Sequence, residues 1–461
     1  MAHTAPPPTE SAAPQVTTVS TAGPSTSAGN PANAKPATTG GPTIAQIIQP
    51  IAAHFFGTEP PVRLEFWDGS SLAGHRSHVT IRFTTPEAIT RVIWSPNELG
   101  LGRAYVAGEL EVDGDLFELI GALRATKSTT LASAAKSLPK TVSAARRLDV
   151  LHRPLAPPPQ EARLRGWRHS RGRDSNAIQH HYDVGNDFYR IVLGPTMTYS
   201  CARFSDEGTT LDEAQTAKHD LICRKLSLHE RPAARLLDVG CGWGSMAIHA
   251  AATYGTKVVG ITISRSQAAR ARQRVNEAGM SALVDIRLQD YRDLAGEQFD
   301  AISSIGMSEH VGHDHLDRYF RTLRSVVAPH GRLLNHAIST VGGSKLSRSS
   351  FVAKYVFPDG ELIDVGRVVL AMEGAGFEVR DVESLREHYS RTLRAWVTNL
   401  DAQWDEAVQL SSLAQAKIWK LYMTGSAVGF DDGGIGLHQV LGVAADAAGD
   451  SAMPATRRDW G

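Results

Sequence analysis

The stretch Leu236-Leu237-Asp238-Val239-Gly240-Cys241-Gly242-Trp243-Gly244 carries an apolar strand into a glycine turn, and the turn into a helical pattern over Ser245–Tyr254. A nucleotide-binding βαβ unit keeps its phosphate loop at this place, although the spacing here is G-x-G-x-G rather than G-x-G-x-x-G. Glycine has no Cβ, so Gly240, Gly242 and Gly244 let backbone come close to a ligand. Asp238 ends the strand, where a carboxylate reaches a ligand's hydroxyls or ammonium. Taken alone, the same residues also suit a plain structural turn.

The chain beyond Tyr254 favours a binding site. Lys257–Ile263 reads as a second buried strand, Arg287–Tyr291 closes a third, and Phe299–Met307 reads as a fourth. Helical stretches such as Ser266–Ala278 lie between them, which predicts a doubly wound, mostly parallel α/β sheet with its ligand at the carboxyl ends of the strands. The second strand ends without the Asp or Glu that a dinucleotide ribose needs. The ligand is therefore read as S-adenosylmethionine, with Thr262 and Gln267 as polar contacts.

The chain has 461 residues, room for two or three domains. Its formal net charge is zero, so no bulk field favours a nucleic acid partner. Cys201, Cys223 and Cys241 lack paired spacing, which argues against a disulfide framework or a zinc site and suits a reducing cytoplasm; no metal is expected. No apolar run approaches the roughly 20 residues that cross a bilayer, and the N-terminus lacks a secretory pattern. A lipid substrate would thus be met from the cytoplasm, at the inner face of the membrane.

The first 43 residues are mostly Ala, Pro, Thr, Ser and Gly, with Glu10 and Lys35 as the only charges, and are expected to be a disordered leader. Residues 44–125 read as a small α+β domain: helical spacing from Ile44, then β-like runs at Val62–Trp67, Val79–Phe83 and Arg91–Trp94. Its bland role is substrate gathering or dimer formation. A basic linker occupies 126–174, with ten Lys or Arg between Lys136 and Arg173 against Asp149 and Glu161. Such charge suits a solvated linker. It also suits anionic lipid headgroups, to which each basic residue adds roughly 1 kcal/mol near the surface, and Trp167 among Arg163, Arg165, Arg168 and Arg171 strengthens that reading. The catalytic domain spans 175–424, its polar aromatic segment Asn176–Phe204 forming a lid over the cofactor, and the Gly/Ala/Asp-rich residues 425–461 are expected to be a loosely ordered tail.

Several stretches occur together and in order across residues 176–404: His180-His181-Tyr182-Asp183-Val184-Gly185-Asn186-Asp187-Phe188-Tyr189, Thr198-Tyr199-Ser200-Cys201, the glycine turn, Thr262–Gln267, Gly306-Met307-Ser308-Glu309-His310-Val311-Gly312, Leu333–Ile338, Phe351–Gly360 and Tyr389–Trp396. In these the chain resembles the cyclopropane-fatty-acyl-phospholipid synthases, the mycolic acid cyclopropane synthases and related lipid methyltransferases. The resemblance implies a seven-stranded class I methyltransferase sheet and methyl transfer from S-adenosylmethionine to the cis double bond of an unsaturated phospholipid acyl chain. It places Tyr199, Ser200, Gly240–Gly244, Thr262, Gln267, Asp290 and Tyr291 at cofactor-contacting positions. Cys201, Glu309, His336, Ile338 and Tyr389 match the set that holds a bicarbonate ion, the base that deprotonates the carbocation left by methyl transfer and closes a cyclopropane ring.

An anion beside a carboxylate is repulsive unless a proton is shared, so Glu309 is expected to share one with the ion. Each residue also has a plainer role: Glu309 as a helix cap, His336 as a core histidine, Tyr389 as a helix-start aromatic, Cys201 as a small buried hydrophobe. Ser308 stands where many relatives carry Phe, which would reshape the acyl tunnel and leaves open a 10-methylene product, precursor of a 10-methyl branch, with a flavoprotein reductase as partner. A homodimer and a non-catalytic lipid-binding protein are the other readings left open.

Overall fold

A computed structural model describes residues 41–125, 139 and 142–460, apart from 57–58, 152, 164–165, 183, 232, 345 and 458–459. The expected disordered leader lies outside the described residues save its last three. By their contacts, Thr43–Gly461 make one compact unit.

The unit begins with the helix Ile44–Phe56 and a four-stranded sheet, β1 (Arg63–Glu65), β2 (Ser71–Leu72), β3 (Thr80–Phe83) and β4 (Leu110–Asp113), in the order β2-β1-β3-β4. Arg91–Trp94, expected as β-like, instead closes the helix Pro86–Trp94. Pro86 suits the first turn, where its missing N–H is no loss, and Ala88 and Ile89 are buried. The helices Glu98–Ala107 and Leu116–Arg124 complete this part, the second capped by Asp115, whose side chain accepts from the Phe117 N–H.

This part packs directly against the rest of the chain. A Cβ on Gly102 would lie 2.4 Å from the Phe351 ring, the Phe351 N–H donates to Glu98 Oε1, and Arg124 pairs with Asp432 at 2.6 Å. Nor is the described part of 126–174 a solvated linker. Ala144, Ala145 and Val150 enter the core under the small sheet, Arg103 makes a two-pronged pair with the buried Glu161, and a helix starts at Arg171. Arg168 and Arg173 pair with Asp359. Arg168, Arg171 and Arg173 are thus paired with acids far away in sequence, which a local charge count does not reveal.

The large sheet comprises β5 (Arg235–Val239), β6 (Lys257–Thr262), β7 (Val284–Leu288), β8 (Phe299–Ile305), β9 (Val327–Thr340), β10 (Glu378–Ser384) and β11 (Ile435–Val443), in the order β10-β11-β9-β8-β5-β6-β7. β5 to β9 pair in parallel and β11 runs antiparallel between β9 and β10, the doubly wound, mostly parallel arrangement expected. Leu236 and Leu237 are both fully buried in separate cores on opposite faces, so β5 is covered on both sides. β5 is flanked by β6 on one side and by β8 on the other, and this reversal opens a crevice at its carboxyl end. Residues 425–443 are not a loose tail. The helix Leu413–Asp431 carries the buried Ala427 and Phe430, and β11 fills a gap in the sheet that no other strand fills.

Candidate active site

The glycine turn sits in that crevice. Gly240, Gly242 and Gly244 have φ of 75°, 52° and 82°, the left-handed region that other residues enter only with strain. A Cβ on Gly240 would lie 2.3 Å from Met307 Sδ. Tyr199, Ser200, Asp238, Gly240, Gly242, Thr262, Gln267, Asp290 and Tyr291 all line one cavity of about 210 Å³. Gly244 does not line it; it caps the Ser245–Tyr254 helix and packs against Ala271.

Asp238 is buried. Its Oδ1 accepts the Ser303 hydroxyl at 2.7 Å, and its Oδ2 has no partner. Burial raises its carboxyl to about 6. At the other side of the cavity Thr262 donates to Gln267 Oε1 at 2.9 Å, and Asp290 is clamped by Arg292 at 2.6 Å. His169, Asp174 and Ile178 line the same cavity. Asp174 meets Arg292 at 3.3 Å and Arg171 meets Asp293 at 2.7 Å, so ion pairs hold the Arg171–Tyr182 helix against the site. An orphaned carboxylate oxygen, a backbone cradle that a single Cβ would fill and hydroxyl and amide donors fit the methionine and adenosine parts of S-adenosylmethionine.

A second cavity, of about 630 Å³, is lined mostly by apolar side chains from both parts of the fold, among them Ile81, Leu119, Ile120, Phe351, Leu393 and Phe430. It shares Tyr199, Gly306 and His310 with the first. Glu309, Ile338 and Tyr389 line it close to this junction. The Glu309 Oε1 accepts the Ile338 N–H at 2.8 Å while Oε2 is buried without a partner, and burial raises the carboxyl to about 7. An acid of that kind, at the end of an apolar cavity, can hold or yield a proton near neutral pH, and its orphaned oxygen fits a small oxyanion that shares the proton. The Tyr389 ring packs at a tilt against Phe430, with centroids 4.7 Å apart.

Cys201 and His336 line neither cavity. The Cys201 thiol points at the Ala202 and Leu385 carbonyls, and burial pushes it far above the ordinary thiol range. His336 is buried on β9 beside Gln439, its carbonyl accepting the Gly306 N–H at 2.8 Å; burial holds the ring neutral. Its Nε2 has no partner. Ser308, which left a methylene product open, donates to Asn335 Oδ1 at 3.1 Å and does not line the 630 Å³ cavity. Trp396 and Trp419 are core residues and do not line the 630 Å³ cavity. Sequence reasoning did not find Lys218 or His310. His310 sits at the junction and is neutral, burial holding it down to about 4. Lys218 lies on the buried face of the Leu211–Lys225 helix with Ala214, Leu221 and Ile222, a helical spacing that a charged residue seldom shares.

A glycine-turn cavity at the switch point of this sheet, meeting an apolar chamber, defines an S-adenosylmethionine-dependent methyltransferase acting on lipid. The family model described as mycolic acid cyclopropane synthetase matches residues 169–440, and one for a domain of unknown function matches 53–135. The chain is 42% identical over 436 residues, 92% of its own length and 99% of the other's, to a probable fatty acid methyltransferase of Mycobacterium tuberculosis. It is 35% identical over 364 residues, 78% of this chain and 87% of the other, to the cyclopropane-fatty-acyl-phospholipid synthase of Escherichia coli. The crystal structure of the mycolic acid cyclopropane synthase CmaA1 complexed with SAH and CTAB superposes with a TM-score of 0.55 at 35% identity, covering 58% of this chain and 97% of that one. The chain belongs to the mycolic acid cyclopropane synthetase family. No helix among the described residues is long and apolar enough to cross a membrane.

Proposed function

We propose that this enzyme adds the methyl carbon of S-adenosylmethionine to the cis double bond of an unsaturated phospholipid acyl chain and forms a cyclopropane ring. One observation carries the reading: the apolar 630 Å³ cavity meets the cofactor cavity at Tyr199, Gly306 and His310, with Glu309 beside the meeting point. When bound, S-adenosylmethionine supplies an electrophilic methyl group and bicarbonate a base. The glycine turn, Asp238, Ser200, Tyr199, Thr262, Gln267, Asp290 and Tyr291 hold the cofactor. Glu309, Tyr389 and the backbone around Ile338 hold the ion.

An alkene is a weak nucleophile, so the protein's task is to position two reactants in near contact. Leu119, Ile120, Leu393 and their neighbours seat the acyl chain and exclude water. Methyl transfer leaves positive charge on that chain, near the rings of Tyr199 and Phe357, which line the cavity and have the His181 ring behind them at 5.4 Å and 4.3 Å. Aromatic faces stabilise a cation without attacking it. With its carboxyl raised to about 7, Glu309 can carry a proton on its unpartnered Oε2 and share it with an anion next to it. A lipid carrier without turnover would have no use for a neutral buried acid at this junction.

The test is incubation of the purified protein with S-adenosylmethionine and oleoyl-phospholipid vesicles, then mass spectrometry of the fatty acids. A product heavier by one methylene that resists mild hydrogenation supports the ring. An isomer that takes up hydrogen to give a methyl branch would replace it with the methylene product and bring in a reductase. No product of either kind would sink the reading.

A further inference from the structure

Lys218 is fully buried on the Leu211–Lys225 helix and lines the cofactor cavity. Its Nζ donates to Ser200 Oγ at 2.8 Å and, among the described residues, meets no carboxylate within ion-pair distance. A buried ammonium without a counter-ion is costly, and such groups are normally paired. Burial accordingly pulls Lys218 down to about 7, while Asp238, on the same cavity, is pushed up to about 6. The Ser200 hydroxyl accepts from Lys218 and makes no other hydrogen bond among the described residues. Its own proton is therefore free to be given to a group in the cavity. One wall thus offers an O–H donor backed by a cation, and the end of β5 offers a carboxylate oxygen, Asp238 Oδ2, that lacks a donor. That is the complement of an α-amino acid zwitterion.

We infer that Lys218 is a positioning residue for the amino-acid end of S-adenosylmethionine, its ammonium fixing the Ser200 hydroxyl as a donor to the cofactor's carboxylate and supplying the counter-charge for it. The inference rests on the cofactor assignment and deepens it. Charge-assisted hydrogen bonds are about twice as strong as neutral ones, so removing the charge should be visible in binding.

The experiment is calorimetric titration of the full chain with two ligands: S-adenosylhomocysteine, which carries the amino-acid end, and 5′-methylthioadenosine, which lacks it. Lys218→Met should weaken S-adenosylhomocysteine roughly ten- to a hundredfold and leave 5′-methylthioadenosine unchanged. Ser200→Ala should show the same selectivity to a smaller degree. If Lys218→Met binds S-adenosylhomocysteine as the parent does, or loses both ligands equally, the role is overturned, the second result marking a merely structural lysine. Should Lys218→Met not fold, Ser200→Ala decides: equal affinity for S-adenosylhomocysteine refutes the relay. A parent protein that binds neither ligand would instead overturn the cofactor assignment itself.

Discussion

Glu309→Gln tests the chemistry and the burial of the site at once. In the folded state burial raises this carboxyl from 4.5 to about 7, with the Ile338 N–H opposing the rise. A raised carboxyl is held protonated more tightly folded than unfolded. The stability it contributes is fully present below the unfolded value and is lost as pH rises through about 7. With one unit worth about 1.4 kcal/mol, ionising it inside the fold costs on the order of 3 kcal/mol above pH 7. The amide has nearly the same shape and does not ionise, so the variant escapes this loss. For the Thr43–Gly461 unit, an unfolding entropy of about 2.1 cal/mol/K per residue turns 3 kcal/mol into roughly 3 °C. Melting curves of parent and variant should therefore diverge between pH 5 and pH 8, the variant gaining by about that amount. Turnover should fall roughly a hundred- to ten-thousandfold, the usual contribution of a positioned acid or base. Titration with S-adenosylhomocysteine should not change, because Glu309 does not line the cofactor cavity. A melting gap that stays flat with pH would mean the carboxyl is not a buried acid, and undiminished turnover would remove it from the mechanism.

Ile120→Trp, in the wall of the 630 Å³ cavity, should block acyl entry: turnover on oleoyl phospholipid drops while S-adenosylhomocysteine binding holds, and full turnover would show that the chain takes another route. Ser308→Phe should cost about 1–3 kcal/mol through overpacking against Asn335 without changing the ratio of ring to methylene product in the fatty-acid assay. A changed ratio at an unchanged melting temperature would return Ser308 to the acyl tunnel. Trp167 is 89% exposed and Arg163 is exposed beside it, so Trp167→Ala with Arg163→Ala should weaken sedimentation with anionic vesicles, and parent binding should fall with added salt. Arg168 is a poor probe of the same idea because Asp359 and Glu361 already neutralise it. Salt-independent binding equal in parent and variant would leave this face without a membrane role.

The parallel sheet and the cofactor cavity were legible because their signals are local. Leu236 and Leu237 lead into Asp238 and Val239 at the strand's end, the glycines sit where backbone must turn left-handed, and Thr262 closes its strand with Gln267 in the helix that follows. The 630 Å³ cavity was not legible, because its walls come from residues as distant as Ile81 and Phe430, each of which reads alone as ordinary core. Lys218 was hidden for a related reason: its partner Ser200 lies on another element, and a lone lysine in a helix reads as solvated until the fold buries it. The described basic residues Arg168, Arg171 and Arg173 looked like a field and are instead individual halves of ion pairs with Asp293, Asp359 and Glu361.

The C-terminal segment shows how composition misleads when averaged over too long a window. Across 425–461 the Gly, Ala and Asp content suggests looseness, yet Ile435–Val443 is a nine-residue strand hydrogen-bonded on both sides, Leu437 to Ile338 and Val440 to Val382. Its Gly442 does not loosen it. A Cβ there would lie 2.8 Å from Met372 Cε and 3.1 Å from Phe377 Cβ, so a larger residue would have to displace both side chains. β11 also backs the strand from which Ile338 gives its N–H to Glu309, and its Gln439 faces His336. The segment that read as a loose tail therefore backs the strand that holds Glu309, and truncating the chain before Ile435 should abolish folding of the sheet rather than trim a tail.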